Sequence, residues 1–159
     1  MTTLFHSIAF LLAFVPTVAF PSIPLSFFAP YLIFLLYKTS FSFSLKRAFV
    51  CGLIIDLLGA YPSLGFWTLN YLITMFGIRW IKNLFFSDSL ITIPLLSLAF
   101  SVISTLLYAV FHSLFYAPFS VGIAWVFTDL LLLPVVDGIW AFFGFTMPLY
   151  YLSKLKLFS

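Results

Sequence analysis

The stretch that decides the fold is Ala48-Phe-Val-Cys-Gly52-Leu-Ile-Ile-Asp56-Leu-Leu-Gly59-Ala-Tyr-Pro-Ser-Leu-Gly65. Gly52, Asp56 and Gly59 stand at positions i, i+4 and i+7, which share one face of a helix. Glycines on such a face let a second backbone come close in a membrane bundle. An acid in an apolar membrane helix faces protein or water, because lipid would leave its charge unsolvated. The pattern predicts a helix that packs closely, through this face, against the helix that follows Gly65.

The composition around this stretch is that of a membrane protein. Of the 159 residues, 64% are hydrophobic and 7% are charged, whereas soluble domains carry about 25% charged residues. So few charges could not cover the surface of a water-soluble globule. We therefore expect residues 1–159 to form a single integral membrane domain of the all-α class.

Six apolar segments are long enough to be considered as membrane helices, which need about 20 residues. Their predicted bounds are approximately 4–20, 23–37, 48–60, 65–81, 91–116 and 129–152. The third is short unless it begins near Phe43, because the Ser-rich residues 38–47 read as a loop. Pro134 is expected to divide the last region, with residues 119–128 forming a separate interfacial piece.

The basic residues predict how these helices are oriented. With the N-terminus in the cytoplasm, every Lys and Arg falls in a cytoplasmic connection or tail: Lys38, Lys46, Arg47, Arg79, Lys82, Lys154 and Lys156. Cytoplasmic loops of membrane proteins carry such an excess of basic residues. The sequence therefore predicts six crossings, with both ends in the cytoplasm.

Two acids within the apolar segments are candidates for a functional role. Asp56 lies about 6 Å, and Asn70 about 7–8 Å, from the outer ends of consecutive helices at 1.5 Å per residue, so Asn70 is the predicted partner of Asp56. A buried structural hydrogen bond is the favoured interpretation, with a relay or a partner contact as alternatives. Asp137 and Gly138 follow Pro134, and we expect a locally irregular helix there whose freed backbone groups Asp137 helps to anchor.

Small and polar residues recur on other predicted helices. Ser97, Ser101, Ser104 and Tyr108 share one face of the fifth helix, and the pattern favours a helix-packing face over a ligand groove. Ala9 and Ala13 form a small-residue pair on the first helix. Asp129 is expected at the outer interface of the membrane.

No pattern in the sequence indicates catalysis or metal binding. Cys51 is the single cysteine and is interpreted as a small packing residue. The sequence contains no phosphate-binding loop, no H-E-x-x-H and no G-x-S-x-G. We expect a protein without enzymatic activity, cofactor, metal or nucleic-acid partner.

The quoted stretch resembles the central signature of the rod shape-determining protein MreD family. It has the Gly52-Leu-x-x-Asp56 core, followed by a short turn that ends in Leu64-Gly65. The resemblance continues through Asn70-Tyr-Leu-Ile, through Val136-Asp137-Gly138, where the family often has Asn in place of Asp, and through the basic tail. At the start of the second helix, Ala29 precedes Pro30 where the family has Arg.

The resemblance implies a non-enzymatic subunit of the bacterial cell-elongation complex in the cytoplasmic membrane. Such proteins associate with a MreC-like periplasmic scaffold and, through it, with an actin-like filament and the peptidoglycan synthases. Their fold is similar to that of the substrate-binding subunits of energy-coupling-factor transporters. The alternative is therefore a substrate-binding subunit of a vitamin or metal importer, in which Ala9 and Ala13 would suit the small-residue contact those subunits use. The sequence shows no dense polar set near the outer face for such a solute, which makes this the second choice.

Overall fold

A computed structural model describes residues 2–19, 25–58, 64–83, 91–115 and 122–154, although not the side chains of residues 2–5, 152 and 153. These residues form helices and short turns, with no strand among them, so the all-α prediction is confirmed. The helices are α1 Thr2–Ala19, α2 Ala29–Lys38, α3 Phe41–Leu58, α4 Phe66–Lys82, α5 Thr92–Phe115 and α6, which spans residues 123–154. Two helical stretches, Thr92–Phe115 and Ile123–Tyr151, are long and apolar enough to cross a membrane.

The connection between α2 and α3 is much shorter than predicted. The Thr39 hydroxyl and N–H both donate to the Leu35 carbonyl at 2.8 Å and close α2. The next residue, Ser40, accepts the Phe43 N–H on its side-chain oxygen at 3.4 Å, as an N-cap serine does. The predicted loop over residues 38–47 is therefore wrong, since residues 41–47 already belong to α3. The early start near Phe43, which the short third segment needed, is confirmed. The Ser and Thr residues of this stretch suggested a loop, but Thr39 closes the end of α2 and Ser40 caps the start of α3.

The start of α2 also differs from the prediction. The helix begins at Ala29, six residues later than expected, and Pro30 lies in its first turn. Proline is favoured at this position because its missing N–H would have no helical acceptor there. The sequence before Ala29 is apolar but contains several prolines, and hydropathy alone could not place the boundary.

Helix α6 is continuous, and the predicted division at Pro134 is wrong. Two of its segments, Val126–Leu132 and Ala141–Thr146, are π-helical, and each ends two residues before a proline, Pro134 and Pro148. A proline lacks an N–H and clashes with the carbonyl four residues before it. A wider π turn, in which bonds span five residues, accommodates that clash without breaking the helix.

Helix α2 forms the core of the fold. Its residues from Ala29 to Leu36 are all buried, and it contacts α1, α3, α5 and α6. A helix that is apolar on all sides is expected in such a position. Cys51 is fully buried beside this core, as predicted. Ala9 and Ala13 also face the core, with at most 1% of their surface exposed, so this pair packs within the chain and is not offered to a partner.

The described basic side chains gather at one end of the bundle. Lys82, at the end of α4, donates from Nζ to the Leu36 carbonyl at the end of α2 (2.7 Å). Arg79 lies 4.3 Å above the ring of Phe41 at the start of α3. Helix α6 runs parallel to α2, because Ser26 contacts Asp137 and Phe34 contacts Phe145. We call this the basic end, and it carries Lys38, Lys46, Arg47, Arg79, Lys82 and Lys154. Lys156 lies outside the described residues.

Helices α3 and α4 are in close backbone contact at Gly52. A Cβ atom at this position would lie 2.5 Å from the Cα of Thr68 and 3.1 Å from the carbonyl oxygen of Trp67. Both are backbone atoms, so they cannot move aside as a side chain would. The predicted close packing of this face is confirmed at Gly52, while Gly59 lies outside the described residues.

We expect the Gly52→Ala substitution to lower the free energy of unfolding by about 1–3 kcal/mol, because an extra methyl group would force α3 and α4 apart. Gly77→Ala is the matched control on α4, where a new Cβ would meet only side-chain atoms of Ile103 at 3.4 Å or more. Thermal unfolding of the detergent-purified protein, followed by circular dichroism, measures both. Equal stability of the two variants would contradict the close approach at Gly52.

Candidate functional site

Asp56 ties the end of α3 to the beginning of α4. Its Oδ2 accepts the N–H of Gly65 (3.0 Å), the N–H of Thr68 (3.1 Å) and the hydroxyl of Thr68 (2.6 Å). Its Oδ1 accepts the N–H of Trp67 at 2.9 Å. The carboxylate is 5% exposed. Its lone pairs are thus directed at protein donors, and it serves as the acceptor for the first turn of α4.

The local sequence explains why α4 needs this distant acceptor. The first N–H groups of a helix have no partner within the helix, and the usual remedy is a Ser, Thr, Asp or Asn at the N-cap. Here the N-cap is Gly65, with φ +98° and no side chain to offer. Glycine adopts this left-handed conformation without strain. Asp56 supplies the missing oxygen, and a negative charge there is also favoured by the helix dipole.

The prediction that Asn70 is the partner of Asp56 is wrong. Its Nδ2 donates to the Ser104 carbonyl (2.9 Å), and its Oδ1 accepts the hydroxyls of Ser104 (2.8 Å) and Thr74 (3.2 Å). Asp56 and Asn70 lie at similar distances from the ends of their helices. Asn70, however, is fully buried on the side of α4 that faces α5. Depth along the helices suggested the pairing, whereas the rotation of α4 about its axis decided against it.

Asp137 holds the segment that precedes α2. Its Oδ1 accepts the N–H of Ser26 at 2.8 Å, and the side chain is 2% exposed. This matches the predicted anchoring of freed backbone, although the freed N–H belongs to another segment, 111 residues away. The helix at Asp137 is itself α-helical and the irregular turns flank it. Gly138 lies against α5, where a Cβ would sit at an ordinary 3.5 Å from the Pro94 carbonyl.

The second oxygen of Asp137 has a different environment. Oδ2 is buried and accepts no hydrogen bond from the described part of the chain. Ser101 interacts with the carboxyl from α5.

A cavity of about 160 Å³ lies next to these residues, at the end of the bundle opposite the basic end. Hydroxyl groups line one side of it, from Ser26 before α2 and from Ser101, Ser104 and Thr105 on α5. The polar residues predicted to share one face of α5 therefore have two different environments. Ser97 donates its hydroxyl to the Ile93 carbonyl within α5, whereas Ser101 and Ser104 border the cavity.

Aromatic rings and a carboxylate form the rest of the cavity wall. Trp67 and Tyr108 are stacked with ring centroids 5.7 Å apart, and Trp125 contributes a third ring from α6. Asp129 lies on the next turn of α6, partly exposed, and accepts the Thr128 hydroxyl on Oδ2 at 2.6 Å. The expectation that no dense polar set exists near this end is wrong. Four segments line the cavity, namely the residues before α2 and helices α4, α5 and α6, and sequence spacing could not bring them together.

The predicted site residues thus fall into separate groups. Gly52, Asp56 and Gly65 come together at the junction of α3 and α4. Asn70 belongs to the contact between α4 and α5, and Asp137 with Gly138 to the contacts of α6 with α5 and the start of α2. Thr68 and Ser26 were missed by sequence reasoning. Within the described ranges, no three His, Cys, Asp or Glu side chains are placed to share a metal ion.

Comparison with known proteins adds no assignment. The chain matches no protein-family model, no curated protein and no solved structure.

We expect Asp56→Asn to lower the free energy of unfolding by about 3 kcal/mol, because the amide would turn an N–H₂ group toward buried donors and leave them unsatisfied. Thr68→Val removes one of the four bonds and should cost about 1 kcal/mol. Asp129→Asn is the matched control, since this carboxylate is partly exposed and binds only its neighbour's hydroxyl among the described residues. Chemical or thermal unfolding in detergent ranks the three variants. An Asp56→Asn protein as stable as Asp129→Asn would exclude the capping role.

Proposed function

We propose that this chain is a non-enzymatic, multi-pass subunit of a bacterial cell-elongation complex, similar to the MreD family. The observation that supports this proposal is the junction between α3 and α4. Gly52, Asp56 and Gly65, which carry the resemblance, each have a distinct role in that one junction: close contact, helix cap and left-handed turn. A pattern with a single structural purpose is better evidence of relationship than shared apolar composition.

The outer surface supports a location in the bacterial cytoplasmic membrane with several crossings. Large apolar side chains are exposed along the outward faces of the helices, among them Leu69, Ile73 and Phe76 on α4 and Val135, Ile139 and Phe143 on α6. Water-soluble proteins rarely expose contiguous apolar surface on this scale. The described Lys and Arg residues lie at the opposite end from Asp129, which fits six crossings with the basic end in the cytoplasm.

Reporter fusions test this topology. A fluorescent protein fused after residue 159 should fluoresce and alkaline phosphatase fused there should be inactive, because the C-terminus is proposed to lie in the cytoplasm. Phosphatase inserted between α5 and α6 should be active. An active phosphatase at the C-terminus would rule out six crossings with both ends inside.

Depletion of the protein in its own bacterium tests the proposed role. Rod-shaped cells should become round or swollen, since side-wall synthesis would lose its membrane subunit, and a MreC-like coiled-coil protein should co-purify with the tagged chain. Re-expression of wild-type protein should restore the shape, whereas Asp56→Asn should restore it poorly because less folded protein accumulates. Normal cell shape on depletion, together with the absence of such a partner, would refute the proposal.

The alternative function, a solute-binding subunit of an importer, is favoured by the polar cavity near Asp129. It predicts co-purification with a membrane coupling protein and two ATPases, which the elongation-complex proposal does not. Affinity purification from the native membrane distinguishes the two. Recovery of ATPases without a MreC-like protein would favour the importer.

A further inference from the structure

The cavity between α4, α5 and α6 has a chemical character that narrows what it can hold. Among the described residues that line it, Asp129 carries the only carboxyl group, and no Lys, Arg or His is present. An anionic solute entering here would meet a carboxylate and find no cation to pair with it. A solute bearing a positive charge would find one carboxylate suitably placed.

The aromatic wall favours the same charge. Trp67, Tyr108 and Trp125 border the cavity, and the faces of aromatic rings attract cations, with tryptophan the strongest. The stacking of Trp67 on Tyr108, at an interplanar angle of 23°, holds these two rings as one rigid wall. Rings and a carboxylate around one space are a common arrangement for recognising ammonium groups.

The hydroxyl wall provides acceptors for the hydrogens of such a cation. Ser26 and Ser101 line the cavity, and both also interact with the carboxyl of Asp137 on α6. The Lys and Arg side chains of the structure lie at the other end of the bundle. The end with the cavity therefore carries Asp129 and Asp137 without a described Lys or Arg to offset them. His112 follows Tyr108 by one turn of α5, with its ring centroid 5.9 Å from that of Tyr108, and it is not among the described residues that line the cavity.

We infer that this cavity binds a small organic cation with an ammonium group, held between the Asp129 carboxylate and the ring of Trp125. The volume of about 160 Å³ is smaller than the 300–1,000 Å³ usual for drug-sized ligands, which restricts the ligand to a few heavy atoms. Hydroxyl groups on the ligand would pair with Ser101 and Thr105. If the chain is a solute-binding subunit of an importer, a small organic cation would be its solute, and that part of the inference rests on the alternative function. Binding of the cation does not depend on either proposed role.

Ethanolamine and ethylene glycol test the inference, because they have the same size and differ in carrying an ammonium or a hydroxyl. With the full chain purified in detergent at constant ionic strength, ethanolamine should raise the unfolding temperature in a saturable manner. Ethylene glycol at the same concentration should not. Stabilisation by both to the same extent, or by neither up to tens of millimolar, would overturn the inference.

Two variants and one control locate the site. Asp129→Asn should weaken ethanolamine binding by at least about tenfold, since it removes the charge that pairs with the ligand. Trp125→Leu should weaken it about three- to thirtyfold through loss of the ring face. Trp80→Leu is the matched control, because Trp80 is 84% exposed on α4 near the basic end, and it should leave the dissociation constant unchanged. Unaltered binding by Asp129→Asn would refute the site.

The same measurements keep this inference separate from the proposed roles. A chain that binds ethanolamine and co-purifies with a MreC-like protein has the site and the scaffold role. A chain that binds it and recovers no ATPase has the site but loses the importer role. Failure of binding leaves the cell-shape experiment to decide the proposed function by its own outcome.

Discussion

Every N–H group at the start of a helix needs an acceptor, and the fold of this chain depends on how Asp56 satisfies those of α4. The carboxylate of one helix reaches into the first turn of the next and binds three backbone N–H groups and one hydroxyl. A buried N–H group left without an acceptor costs about 1–3 kcal/mol. The approach of α3 to α4 at Gly52 is therefore fixed by hydrogen bonds as well as by packing, and α4 in turn positions Asn70 toward α5.

The same requirement accounts for the other irregular places in the bundle. Asp137 accepts the N–H of Ser26, where the chain enters α2, so a carboxylate again serves backbone that no regular element satisfies. Along α6, the π-helical turns before Pro134 and Pro148 keep the helix continuous despite two residues that cannot donate. Short helices and prolines leave backbone N–H groups or turns that regular helices would satisfy. Here carboxylate acceptors and π-helical turns satisfy them, so these features are compatible with a buried core.

The distribution of charge gives the molecule two unlike ends. Lys82 and Arg79 contact α2 and α3 at the basic end. The opposite end combines Asp129 with aromatic rings and hydroxyl groups around a cavity. A scaffold subunit would use its outer surfaces for partners and leave this cavity for a small ligand. The two proposals can therefore be true of one molecule, since they concern different parts of it.

The sequence by itself determined that the chain is helical and apolar, that its basic residues belong together, and that Gly52 and Asp56 share a packed face. Those features follow from composition and helical periodicity, which are local properties. It did not determine the partner of Asp56, the true starts of α2 and α3, or the continuity of α6. Only the tertiary structure decided that Asn70 turns toward Ser104, that Ser26 meets Asp137, and that four segments line a polar cavity. Each of these depends on the rotation of helices about their axes and on contacts between residues far apart in the chain, and helical periodicity carries no information about either.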